Sequence, residues 1–229
     1  MSSEPDDLRH RKFPLADRML TVMVTIIVID LALVSPMAGM VGESRHWADI
    51  VLSLVLLLGT LVIWGNLWLT DLFVATSIAC VASRLGYIRW GTVEWEYAGS
   101  ALASVNYVIL GYLLSRRVFA PGRVNIHRIQ GAVAVYLLAG LVLTQVLHLV
   151  SLASPGAFMM LGEVATHERI APHLLYYSFV TLTTTGFGDI VPVHSLARSF
   201  SIVGAIFGTL FPAILIGRLV SLEFMQHRS

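Results

Sequence analysis

At 229 residues, 56% hydrophobic and only 13% charged, with a mean hydropathy of +0.78, the chain lies far from the composition of soluble domains and reads as an integral membrane protein. A formal net charge of +1 points to neither nucleic acid nor a large acidic partner. The single cysteine, Cys80, lies in an apolar segment as a small core residue, which excludes an intrachain disulfide and a thiolate metal site.

A bilayer core of about 30 Å takes roughly 20 apolar residues per helical span, and the chain offers six such stretches and one shorter one. The tail 1–18 carries Arg9, Arg11, Lys12 and Arg18, a basic cluster expected to stay in the cytoplasm. The first span is predicted over 19–37. Its basic flank and the small residues at 35–39 also fit a signal peptide, but the run is long for one and contains Asp30. The second and third spans are predicted over 49–64 and 67–88, antiparallel because their link is so short. Trp47, Trp90 and Trp95 fall where spans meet one headgroup layer, Trp64 and Trp68 where they meet the other. A fourth span is expected over 98–114, completing a four-helix transmembrane domain at 19–115. Arg116, Arg117, Arg123, His127 and Arg128, with Pro121 and Gly122 breaking the path, read as a cytoplasmic linker at 116–127.

The fifth span is predicted over 129–150, followed by an extracellular loop over 151–171 with Pro155, Glu163, His167, Glu168 and Arg169. The segment 172–183 is too short to cross and fits a re-entrant helix, tolerated at membrane depth only where protein buries it. The last span is expected over 195–222, with a cytoplasmic tail at 223–229. Six spans place both termini in the cytoplasm, in agreement with both basic clusters. The short tails leave no cytosolic ligand-binding domain, and neither internal repeats nor low-complexity segments are evident. Lys12 is the only lysine among fifteen Lys and Arg residues, a bias that points to a GC-rich prokaryotic genome.

Residues 181–189 read Thr-Leu-Thr-Thr-Thr-Gly-Phe-Gly-Asp. In a helix, Gly186 and Gly188 would each cost about 1 kcal/mol relative to alanine, so they serve something other than packing. Glycine tolerates backbone angles that turn successive carbonyls in one direction, and a ring of inward carbonyls can replace the water around a dehydrated cation. Two spans flanking a re-entrant helix and a Thr-Thr-Gly-Phe-Gly-Asp loop resemble the pore module of the tetrameric potassium channel family, over roughly 128–222. The resemblance implies an all-α integral membrane fold: six transmembrane helices, with the pore helix and selectivity-filter loop between helices 5 and 6. It also implies that carbonyls of Thr184, Thr185, Gly186 and Phe187, with the Thr184 hydroxyl, line K+ sites, Gly188 completing the filter. One loop per chain implies a homotetramer in the cell membrane, with lipid around it, K+ as permeant ligand and no other cofactor.

Within that resemblance, the C-terminal end of the pore helix points its partial negative charge toward a water-filled cavity. Thr183 and Asp189 flank the filter, and Tyr176 and Tyr177 stand where members often carry bracing aromatics; simple interfacial tyrosines are the alternative. Two departures bear on rigidity. Phe187 replaces the commoner tyrosine, and Val180 stands where some members have a glutamate that pairs with the residue matching Asp189. Thr185 replaces a common valine and is expected to turn its hydroxyl away from the ions. In the last span Gly208 sits at the family's usual hinge spacing, with Gly204 before it and Pro212 a turn later; close helix packing is the equal alternative.

The fourth span lacks the arginines of voltage-sensing relatives, and Arg116 and Arg117 lie at its end, where positive-inside anchoring explains them. Steep sensor-driven voltage dependence is therefore not expected. Asp30 and Arg84 are candidates for a buried ion pair or a ligand or proton site; Asn106 would join them or bond between helices. His167, Glu168 and Arg169 beside Glu163 form either a solvated loop or an extracellular pH sensor. The expected function is passive, K+-selective conduction without an arginine-based sensor; the alternative is a weakly selective or non-selective cation channel. An active transporter would carry four such loops in one chain. Enzymes are disfavoured: the glycines make a poor phosphate loop, no lysine follows, and no His-Glu-x-x-His motif occurs. A non-conducting accessory subunit would have little use for an intact filter. The gating stimulus, whether voltage, lipid, pH, tension or a partner, is not encoded legibly.

Overall fold

The computed structural model describes residues 67–119 and 126–226, together with Thr25, Val28 and Ile29, which are helical. The rest of the two expected spans at 19–37 and 49–64, with Asp30, Trp47 and Trp64, lies outside the described residues, as do the tail clusters and Pro121, Gly122 and Arg123. Among the described residues four helices are long and apolar enough to cross a membrane: α1 (Leu67–Trp90), α2 (Val93–Val118), α3 (Ile126–Ala153) and α6 (Ser195–Gln226). Between α3 and α6 come β1 (Phe158–Met160), β2 (Glu163–Val164), the single-turn α4 (His167–Ile170), a 3₁₀ turn (Ala171–His173), α5 (Leu174–Leu182) and β3 (Ile190–Pro192).

The long helices overrun the apolar stretches that set their expected ends. Glu94 and Glu96 occupy the first turn of α2, where the exposed N–H groups of a helix favour carboxylates. The connection expected over 89–97 between the third and fourth spans shrinks to Gly91 and Thr92. Gly91 adopts φ 67° and returns its N–H to the Tyr87 carbonyl at 2.7 Å, the left-handed cap that ends a helix abruptly. Trp90 and Trp95 stack across this turn at 5.6 Å, while Trp68 is exposed at the other end of α1, as two opposed aromatic layers require. Arg116 and Arg117 likewise fall within α2.

Helix α3 is the hub: α2, α5 and α6 pack on it, and α1 packs on α2. One core, around Phe73, Cys80, Leu110, Leu114 and Leu138, joins α1 to α3. At that seam Cys80 is buried as expected, Arg84 lies against Gly99, and the Thr76 hydroxyl donates to the Asn106 side chain. Asn106 therefore bonds between helices. A second core, around Leu147, Phe158, Ile170, Leu174 and Tyr177, lies under the sheet.

That sheet is a small addition to an otherwise helical chain, and most of it lies in the segment expected as a loop at 151–171. Strand β1 pairs antiparallel with both neighbours, in the order β2-β1-β3, with Met160 opposite Glu163 on one side and Ile190 on the other. Leu161 and Gly162 close the β1–β2 hairpin at φ 52° and 85°, the twist that two-residue hairpins favour. Strands this short, paired with a segment thirty residues on, carry no periodic signal.

Helix α6 runs unbroken through Pro212, and Gly204 and Gly208 serve close approach. A Cβ built on Gly208 would fall 1.7 Å from the Leu182 carbonyl oxygen, at the end of α5; one on Gly204 would meet Leu143 at 2.5 Å. Because the Leu182 obstacle is backbone, Gly208→Ala should lower the thermal unfolding midpoint by the equivalent of about 1–3 kcal/mol or more. Gly111→Ala, whose Cβ would meet nothing within 4 Å, should be neutral or stabilising by up to about 1 kcal/mol. Equal midpoints for the two variants would refute the contact.

Candidate functional site

The last turn of a helix leaves four carbonyls without intrahelical partners. At the end of α5 the following loop takes up nearly all of them. The Phe179 carbonyl accepts the Thr183 N–H at 2.9 Å and its hydroxyl at 2.7 Å. The Val180 carbonyl accepts the N–H groups of Thr185 and Gly186 at 2.9 and 3.4 Å, and that of Thr181 accepts the Thr184 N–H at 3.0 Å. The fourth, on Leu182, accepts the Tyr136 hydroxyl from α3 at 3.3 Å.

The N–H groups of residues 183–186 are thereby spent facing the helix, and the loop's carbonyls from Thr184 onward are not. Among the described residues no hydrogen bond reaches the carbonyl oxygens of Thr184, Thr185, Gly186 or Phe187. Positive φ recurs at every second residue, 57° at Thr184, 57° at Gly186 and 81° at Gly188, with Thr185 and Phe187 negative between them. Such alternation turns successive carbonyls to one side of the chain. Glycine adopts it freely; at Thr184, a β-branched residue, the left-handed conformation costs about 1–2 kcal/mol and is held by the surrounding bonds. The Thr183 and Thr185 hydroxyls bond to each other at 2.9 Å, which occupies the Thr185 hydroxyl within the loop. Residues 183–188 are exposed in the single chain.

The supporting residues divide by role. Val180 contributes its carbonyl and no carboxylate. Tyr177 is buried, and its hydroxyl lies 2.8 Å from that of Ser201 on α6. Ser201 commits its one proton to the Ala197 carbonyl, so Tyr177 is the donor. Tyr176 stays exposed and lies parallel to Phe187, centroids 6.4 Å apart. Its phenol pKa is pushed up, by desolvation first and by Asp189 beside it. Asp189 is fixed through its backbone, whose carbonyl accepts the Leu161 N–H at 2.8 Å. The hairpin thus clamps the residue that ends the loop, a support that sequence reasoning missed.

Of the loop residues, Glu163, Glu168 and Arg169 are exposed, as a solvated loop requires, and His167 alone turns inward. Arg169 and Glu163 pair at 2.8 Å on the surface, while His167 is half-buried beside Glu96 of α2 and His148 of α3. Neither of those partners stood out in the sequence. An ionisable His148 inside a strongly apolar span was the signal available.

Tyr177→Phe should destabilise the chain by about 0.5–1.5 kcal/mol, and Ser201→Ala by a similar amount. In a double-mutant cycle on thermal unfolding the two losses should not add; full additivity would mean that the bond is not made.

Residues 137–224 match the family model described as "Ion channel". No curated protein and no solved structure gives a match. The matched stretch begins within α3, contains α5, the loop and the sheet, and ends within α6. It is ion-channel activity, not an enzyme's, that the match supports, over a stretch that includes the loop at 183–188.

Proposed function

We propose that the chain is one subunit of a homotetrameric, potassium-selective channel, in which residues 184–188 of four copies form the selectivity filter. The observation that carries this reading is the sidedness of the loop, the N–H groups of residues 183–186 bonded inward and the carbonyls from Thr184 to Phe187 left unbonded, with left-handed backbone at alternate residues. Oxygens so arranged can replace the hydration shell of K+, and a single chain offers only one wall of the cage.

Three further features support it. Helix α5 has nine residues, about 14 Å of rise, roughly half a bilayer core, so it suits a re-entrant pore helix. Its C-terminal end meets the filter, which sets the negative end of its dipole near a permeating cation. Burial in the single chain is also uneven: 61% of the α3 window against 17% of the α6 window. An apolar face of Ile202, Ile206, Leu210 and Ile214 on α6 remains for the cavity, other copies and lipid. In this reading the subunit has six spans, both termini are cytoplasmic, and the membrane is the cell membrane. Bending of α6 at Gly204, Gly208 and Pro212 would compete with the tight seat of Gly208 on α5.

In planar bilayers under opposed K+ and Na+ gradients, the purified chain should reverse near the K+ equilibrium potential. Gly186→Asp should abolish the current while eluting at the same oligomeric size. Reversal near zero would instead make the pathway a weakly selective cation pore, Phe187 and Val180 leaving the cage too loose. Since Arg116 lies exposed at the end of α2, stacked 6.0 Å from the Tyr112 ring, neutralising Arg116 and Arg117 to Gln should leave the voltage dependence unchanged. A marked change in gating slope would contradict the anchoring role.

A further inference from the structure

Outside the filter, three elements distant in sequence bring three ligand-type atoms together. Glu96 stands in the first turn of α2, His148 near the end of α3, and His167 opens α4. The Nε2 atoms of His148 and His167 lie 3.1 and 3.3 Å from the same Glu96 Oε1, and all three ligand atoms fall within 4.8 Å of one another. The side chains are 3%, 12% and 18% exposed for His148, Glu96 and His167, so the cluster is secluded yet reachable from the His167 side.

Two buried serines orient the imidazoles. Ser100 Oγ lies 2.9 Å from His148 Nδ1, and Ser151 Oγ lies 2.8 Å from His167 Nδ1. Ser151 also bonds to the His148 carbonyl at 2.8 Å, and a carbonyl only accepts. Both Ser151 bonds hold only if its proton goes to that carbonyl and its oxygen accepts from His167 Nδ1–H. A neutral His167 then points a bare Nε2 at a carboxylate oxygen, two acceptors at hydrogen-bond distance. Something positive belongs between them.

We propose that Glu96, His148 and His167 form a binding site for a divalent transition-metal ion of the zinc type, with a fourth position left for water. Tetrahedral bonds of about 2.0–2.1 Å set neighbouring ligand atoms about 3.3 Å apart, which is the spacing both histidines keep from Glu96. Two imidazoles and one carboxylate suit zinc or its neighbours, whereas calcium and magnesium demand more oxygens than the cluster offers. Serines on Nδ1 are the outer partners that fix the tautomer and ring angle of ligating histidines. The bound ion would tie α2, which lies outside the channel-family match, to the loop leading into α5. Binding itself does not depend on conduction.

Purified full-length chain, stripped with chelator, is titrated with Co2+, whose visible absorption reports four-coordinate geometry. One Co2+ per chain, with intense bands displaced by Zn2+, is expected. His167→Gln should weaken affinity at least about 100-fold, Ser151→Ala by about 10- to 100-fold, and Glu163→Gln not at all. Unchanged thermal unfolding of His167→Gln in metal-free buffer separates ligand loss from misfolding. Absence of four-coordinate bands, or wild-type affinity in His167→Gln, would overturn the site and leave a proton shared with Glu96 as what joins these groups.

Discussion

Everything around the loop follows from one constraint: carbonyls that are to be left unbonded must sit on a chain whose N–H groups are bonded elsewhere. The last turn of α5 meets it. Its carbonyls at 179–181 accept the N–H groups of residues 183–186, and Tyr136 of α3 takes the fourth carbonyl, on Leu182. A helix that ended in water would not need this, since solvent would satisfy both sides. Here the helix end and the loop complete each other, and the alternating backbone is held by bonds that lie all on one side.

The rest of the matched region acts as a frame for that junction. From α6, Gly208 permits contact with Leu182, and Ser201 receives the Tyr177 hydroxyl. From α3, Gly140 leaves room for the Phe179 ring, 2.5 Å from where a Cβ would stand. The hairpin β1–β2 reaches over to β3 and holds Asp189 at the far end of the loop. At the opposite end of the molecule, Arg218 of α6 donates to the Phe119 carbonyl and lies 5.0 Å from its ring. Phe119 meets Phe211, which stacks on Phe207. The residue that follows α2 is therefore held against α6.

Legibility in the sequence tracked the range of the physics. The four described spans were readable because hydropathy over twenty residues is a local sum, and the loop because only glycine suits Gly186 and Gly188. Helix ends were less legible: the apolar stretch begins only at 98, whereas the helix starts at Val93 with Glu94 and Glu96 in its first turn, where carboxylates are favoured. The hairpin was invisible, since strands of two or three residues have no period and their partner lies beyond α5. Gly208 left two roles open from spacing alone, and the Leu182 carbonyl beside it supplies the packing one. The grouping of Glu96, His148 and His167 is purely tertiary, assembled from elements whose sequences give no hint of one another.

The most direct test of the central claim is crystallographic: anomalous scattering from the purified protein in thallium, an electron-dense mimic of K+. A single file of thallium peaks on a fourfold axis, each ringed by carbonyl oxygens from residues 184–187 of four copies, is the predicted result. Those carbonyls turned away from any shared axis, or bonded to protein N–H groups with no ion density beside them, would contradict it.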